Sequence, residues 1–386
     1  MMKKRTLLLL VLAISPILLS SCTIKLWSAA YYDKLNTDLQ AGVAPDVGYV
    51  DPLLMSDYIV QGWLKPVPND LDVGDFYPQM LAPFQRDGQL YGVPHDVQTV
   101  ALVVNMDRLA EAGLEPPSSW EEFREAAVVL TDRDREVYGI GLTTGFWNYL
   151  PFLFQAGGQL LDDSGSRLVL DTPEAAEALA FYAGFNVEDG SAMVIDGEWP
   201  ELGAYSGVPV AFAEETIAMF IGGPGMYGEA LRLMQLDPAT QGRIGVFELP
   251  AGPAGKATIA EVRGFGLFSE PERAPSPSAV EFLQYATSQE GMSFWIGDRE
   301  TPPDYLPARQ SLRDAWLEAH PDTTAFVAGI EYAQSYFPTV GSMGAISEFY
   351  EMATEPFAAA LSGELTPEEA LATINEEGNA ILASEQ

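Results

Sequence analysis

Short apolar runs alternate along the chain with segments whose apolar positions recur every three to four residues, and that alternation predicts an α/β protein. Residues 45–50 and 100–105 read as buried strands, and residues 120–130 and 173–185 as amphipathic helices. Ser119 with Glu122 and Thr366 with Glu369 have the spacing of a capping box, and Pro173 and Pro367 stand where a helix loses nothing by a missing N–H. Residues 280–296, introduced by Ser276-Pro277-Ser278, predict one further helix. Asp163-Ser164-Gly165 has the chemistry of a hairpin turn, and Ala251-Gly252-Pro253-Ala254-Gly255 that of an exposed loop.

The length of 386 residues allows two domains of about 150 residues each or slightly more. With 47% hydrophobic and 19% charged residues the composition is globular rather than disordered. Acidic residues dominate: 55 Asp and Glu against 20 Lys and Arg leave a net charge of −35, which repels phosphate backbones and argues against nucleic-acid partners. One cysteine and two histidines, His95 and His320, exclude an intramolecular disulfide and a Cys-based zinc site, and no cofactor or metal is expected. Asp70, Asp72 and Asp75 lack the Gly and terminal Glu of an EF-hand loop.

The amino terminus reads as an address. Lys3, Lys4 and Arg5 precede an apolar stretch over residues 6–19, too short to span a bilayer comfortably. It ends at Leu19-Ser20-Ser21-Cys22, which resembles a bacterial lipobox, so residues 1–21 are expected to be a lipoprotein signal peptide and Cys22 the site of lipidation. No later run of 18 apolar residues occurs. The expected location is the extracytoplasmic face of a cell membrane, with the body held by its lipid anchor.

An ordered set of phrases then runs from about residue 31 to the carboxyl terminus. Tyr32-Asp33-Lys34-Leu35-Asn36-Thr37-Asp38-Leu39 leads to Ala44-Pro45-Asp46-Val47, Gly62-Trp63-Leu64-Lys65-Pro66 and Leu90-Tyr91-Gly92-Val93-Pro94. Val104-Asn105, Ala112-Gly113-Leu114, Gln155-Ala156-Gly157-Gly158, Ile217-Ala218-Met219 and Gly223-Pro224 follow, and Leu306-Pro307-Ala308-Arg309 and Ser362-Gly363-Glu364-Leu365-Thr366-Pro367 close the series. In this order the chain resembles the family 1 extracellular solute-binding proteins of bacterial ABC importers. The resemblance implies two α/β lobes of the type II periplasmic-binding-protein-like fold with a ligand cleft between them. It places lobe I in residues 22–106 and 262–312 and lobe II in 107–261 and 313–386, with crossings after Asn105, near Val262 and after Leu312. It departs from the family pattern in two places. Only Thr23 to Ala30 stand where the family has a first strand and long helix, so the first βα unit is expected to be shortened, and Gly225 replaces the tryptophan that often follows Gly-Pro, leaving Tyr227 as its substitute.

The resemblance further implies a monomeric, non-enzymatic receptor that captures a neutral sugar or oligosaccharide and delivers it to the transmembrane subunits of a permease. A sugar needs carboxylates or amides for its hydroxyls and aromatic faces for its C–H patches. The candidate ligand residues are Asp51, Asp96, Gln98, Trp147, Tyr227, Arg263 and Tyr336. Helix or turn capping competes for Asp51 and Asp96, core packing for Trp147, and a salt-bridge role for Arg263 and for Arg309. Two other functions stay open at this point: a relative that kept the body and lost ligand capture, and a lipid-anchored glycosidase, since with 55 acids some carboxylate pair always meets the required separation.

Overall fold

The computed structural model describes residues 29–195, 207–235, 242–296, 305–334, 336 and 343–384. Cys22 and the residue 23–28 segment, with the lipobox expectation they carry, lie outside the described residues. No helix among the described residues is long and apolar enough to cross a membrane.

Two sheets organise the chain. The first has six strands among the described residues: Val47–Val50, Thr258–Phe268, Val93–Thr99 and Leu306–Pro307 lie side by side in that order, and Leu64–Lys65 and Ala333–Gln334 pair with the two ends of Thr258–Phe268. The second has five, in the order Ile244–Phe247, Ala101–Asn105, Ile217–Gly222, Tyr138–Thr143 and Ala192–Ile195. We refer to the bodies built on them as lobes I and II. In the second sheet the central strands Ala101–Asn105 and Ile217–Gly222 are buried along their whole length, as strands covered on both faces by helices must be.

Most predicted elements form near their predicted bounds, and the caps explain where they begin. Trp120–Val129 starts at Ser119, whose hydroxyl accepts from the Glu122 N–H at 3.2 Å, while Glu122 turns its carboxylate onto Ser118. Pro367–Ser384 has the reciprocal box: Glu369 N–H donates to the Thr366 hydroxyl, and Thr366 N–H to the Glu369 carboxylate. Pro173–Val187 begins at the Thr172 cap. The expected single helix over 280–296 is instead two, Pro277–Ala286 and Gln289–Ile296, because the Ser288 hydroxyl accepts from the Gly291 N–H and starts a new helix there.

The crossings between the lobes fall elsewhere than expected. Ala101–Asn105, assigned to lobe I, pairs with Ile244–Phe247 and Ile217–Gly222 in the second sheet, so the first crossing is at Val100. The return strand begins at Thr258 rather than near Val262, and Ala333–Gln334, assigned to lobe II, pairs in parallel with its first two residues. Side chains lock this crossing point. The Thr99 hydroxyl donates to the Phe326 carbonyl at 2.7 Å, and the Thr258 hydroxyl to the Val100 carbonyl at 2.9 Å. Gly329 packs so closely that a Cβ there would sit 3.1 Å from Thr99 Oγ1.

The described chain starts with the helix Ala29–Gln40, built from the Tyr32–Leu39 phrase, and the first strand after it is Val47–Val50 at an edge of its sheet. Tyr31 caps that edge: its hydroxyl accepts from the Tyr49 N–H at 2.7 Å and donates to the Tyr49 carbonyl at 3.2 Å.

The fully buried Gln155 ties lobe II to the crossing point, its Oε1 accepting from Trp120 Nε1 at 2.6 Å and its Nε2 donating to the Ala257 carbonyl at 2.9 Å. Gln155→Ala leaves a buried donor and a buried acceptor unpaired, each worth about 1–3 kcal/mol. Denaturant unfolding is expected to show a loss of about 2–4 kcal/mol; a loss below about 1 kcal/mol would contradict this role.

Candidate functional site

Two neighbouring strands of lobe I place charged side chains on one face of an otherwise apolar sheet. Thr258–Phe268 runs antiparallel to Val93–Thr99 with Arg263 opposite Asp96 and Glu261 opposite Gln98. Because side chains alternate along a strand, these four share a face. Asp51, just past the end of the neighbouring strand Val47–Val50, joins them. Its carboxylate caps the following turn by accepting from the Leu53 N–H at 3.0 Å, and also lies 3.7 Å from Arg263 Nε. Capping and cluster membership are therefore both true of Asp51. Glu261 pairs directly with the Arg263 guanidinium, and the Tyr49 hydroxyl donates to the Asp96 carboxylate.

Lobe II and the segment after the crossing supply aromatic rings. Trp147 sits in the short helix Phe146–Tyr149, its ring 4.6 Å from that of Tyr336 and 4.5 Å from that of Tyr350. Its indole Nε1 is buried with no hydrogen-bond partner among the described residues. Tyr336 follows the strand paired with residues 258 and 259, and Glu261, Asp51 and Arg263 are the charged groups that act on its hydroxyl, whose pKa burial raises first of all. The same residue thus contacts the lobe II tryptophan and faces the lobe I charges.

Asp51, Asp96, Arg263, Trp147 and Tyr336 are accordingly brought together. Gln98 stands at the margin, half-buried, its Oε1 3.1 Å from where a Cβ on Gly223 would be, at the start of the lobe II helix Pro224–Leu233. Tyr227 is not part of the group. It lies on the core face of that helix, fully buried, with its hydroxyl donating to Asp322 at 2.8 Å, so it does not replace the missing platform at Gly225. Arg309 is held by the Thr287 carbonyl and Asp75, stacked 4.4 Å above the Phe76 ring. The same pairing engages Asp75, one of the three aspartates of the would-be calcium loop.

Glu261 and Tyr350 escaped the sequence reading. Glu261 was legible, since Glu261 and Arg263 are charged positions two apart in an apolar run; Tyr350, inside Met343–Ser362, carries no local signal.

The cluster is short of positive charge, with one guanidinium among three carboxylates. Burial raises the carboxyls of Asp51 and Glu261 above their ordinary values of 3.8 and 4.5, and Arg263 is the chief opposing influence on both. A carboxyl with a raised folded pKa keeps a proton that the unfolded chain releases. Its stabilising effect is therefore present on the acid side and lost as pH climbs from the ordinary value through the raised one. Asp51→Asn with Glu261→Gln is expected to flatten the fall in stability as the pH rises above the ordinary carboxyl values, measured by denaturant unfolding; a slope equal to that of wild type would contradict the assignment.

Comparison with known proteins agrees with this architecture. A family model described as bacterial extracellular solute-binding protein matches residues 27–293. A Brucella abortus protein, named only as a binding protein, is 28% identical over 234 residues, 58% of this chain and 53% of that relative. The chain thus spans about half the length of the first curated relatives it matches. An arabinooligosaccharide-binding protein of Halalkalibacterium halodurans is 24% identical over 278 residues, 69% of this chain and 61% of the relative. The solved structure of an ABC transporter solute-binding protein from Thermotoga lettingae, bound with α-D-tagatose, is 26% identical, with a TM-score of 0.72 and coverage of 92% of this chain and 89% of that one. With the family model spanning more than half of the chain and two lobes meeting at a charged and aromatic site, the chain belongs to the bacterial extracellular solute-binding protein family.

Proposed function

We propose that the chain captures a neutral sugar or oligosaccharide between its lobes and delivers it to the transmembrane subunits of an ABC importer, without chemistry of its own. The observation that carries this reading is the opposition of the Asp51, Asp96, Glu261 and Arg263 cluster to the Trp147, Tyr336 and Tyr350 rings. Hydroxyl groups donate to carboxylates and accept from a guanidinium, while the C–H faces of a pyranose or furanose lie against aromatic rings. The relatives named above point the same way, one binding arabinooligosaccharides and another solved with tagatose. Ligand bonds to both lobes are complete only when the lobes shut, so ligand shifts an open–closed equilibrium towards the closed form that a permease recognises.

The same reading places the mature body outside the cytoplasm, monomeric and tethered through Cys22, whose position after the apolar segment and uniqueness in the chain support a diacylglycerol anchor. Cys22→Ser is expected to block processing or release the protein to the soluble fraction on cell fractionation; normal processing with retention in the membrane would contradict the anchor.

Melting-temperature measurements with D-tagatose, maltotriose, arabinotriose and lactose test the capture itself. At least one is expected to stabilise the protein in a concentration-dependent way, by about 2.7 kcal/mol at a hundred times Kd. Trp147→Ala is expected to weaken that ligand about ten- to a hundredfold. It also lowers the ligand-free melting temperature, because the ring packs on Tyr336 and Tyr350. A folded wild-type protein that responds to none of the four sugars would contradict the proposal.

A further inference from the structure

We propose that Tyr32 is a ligand-binding residue, its hydroxyl meeting a sugar hydroxyl beside Asp51 and Arg263; this rests on the sugar-capture reading above. Tyr32 lies on the helix Ala29–Gln40 and is only 6% exposed. Its hydroxyl is buried without a hydrogen-bond partner among the described residues.

The tyrosines around it are all satisfied. Tyr31 bridges the backbone of Tyr49, Tyr49 donates to Asp96, and Tyr58 donates to Asn36 at 2.8 Å. An unpaired buried hydroxyl costs free energy that phenylalanine at the same position would not, so its presence calls for an explanation. Its surroundings supply one. Beyond burial itself, the foremost influences on the Tyr32 hydroxyl are Asp51 and Arg263, the pair at the heart of the lobe I cluster.

The chemistry of the three groups is complementary. Ionised Asp51 only accepts, Arg263 only donates, and a phenol does both. A sugar hydroxyl that donates its proton to Asp51 has lone pairs left for Tyr32 Oη and the guanidinium. Trp147 Nε1 offers a comparable unused donor from lobe II, so the ligand would be held by buried groups from both sides. The helix that carries Tyr32 holds the Tyr32–Leu39 phrase, which follows the Thr23 to Ala30 stretch where the resemblance implied a shortened first unit.

Tyr32→Phe removes one oxygen and tests the proposal in the full chain, using whichever of D-tagatose, maltotriose, arabinotriose and lactose stabilises wild type most. Kd is expected to rise about tenfold, while the ligand-free melting temperature stays level or rises, since no bond in the free protein is lost. Combined with Asp51→Asn, the loss is expected to be less than the product of the two single effects, as for groups that share one ligand hydroxyl. A Kd unchanged within about twofold would overturn the proposal and leave sugar capture standing. A ligand-free melting temperature lowered by several degrees would also overturn it, by showing that the hydroxyl serves the fold. Failure of wild type to bind any of the four sugars would remove the capture reading and this inference with it.

Discussion

The interaction on which the rest of this molecule depends is the burial of Arg263 among carboxylates. Arg263 is 7% exposed, pairs with Glu261 on its own strand and Asp51 from the next, and faces Asp96 on the other side. Taking such charges out of water is expensive, and breaking one partner out of a buried set costs more than the pair contributes. A fold that aimed only at stability would fill this face with apolar side chains, as most of the rest of the strand does. Keeping three acids and one base there produces a polar floor able to exchange hydrogen bonds with a polyhydroxylated ligand.

That floor does nothing without the crossing point. Val100 separates a lobe I strand from a lobe II strand with a single residue, and the return strand starts at Thr258 immediately beside it. Asp96 and Gln98 thus lie on the strand that leads straight into the crossing, and Tyr336 leaves the last crossing segment next to Glu261. The hydrogen bonds of Thr99 and Thr258 and the close packing of Gly329 hold the crossing segments against one another.

Much of this was legible in the sequence, and the misses have physical reasons. Strand and helix positions follow from burial periodicity and cap chemistry, which are local, and the resemblance to solute-binding proteins supplied the two lobes. The change of sheet at Val100 could not be read, because no turn residue separates Val93–Thr99 from Ala101–Asn105 and Val100 simply continues the apolar run of the second strand. Asp51 was read at a strand end and Asp96 and Arg263 were candidates through the family resemblance, yet their mutual contact depends on a register between strands more than 150 residues apart in sequence. Tyr227 was misplaced because the side of a helix that faces the core depends on what packs over it, here Asp322 and Phe326. Tyr32 was read only as part of a family phrase; its unpaired hydroxyl is visible only in three dimensions.

The central claim, that Arg263 compensates buried carboxylates, is tested most directly by the stability of Arg263→Met as a function of pH. The account predicts a loss of about 3–5 kcal/mol at neutral pH, much of it recovered as the pH falls and Asp51 and Glu261 take up protons. A loss below about 1 kcal/mol, or a large loss of the same size at every pH, would contradict it.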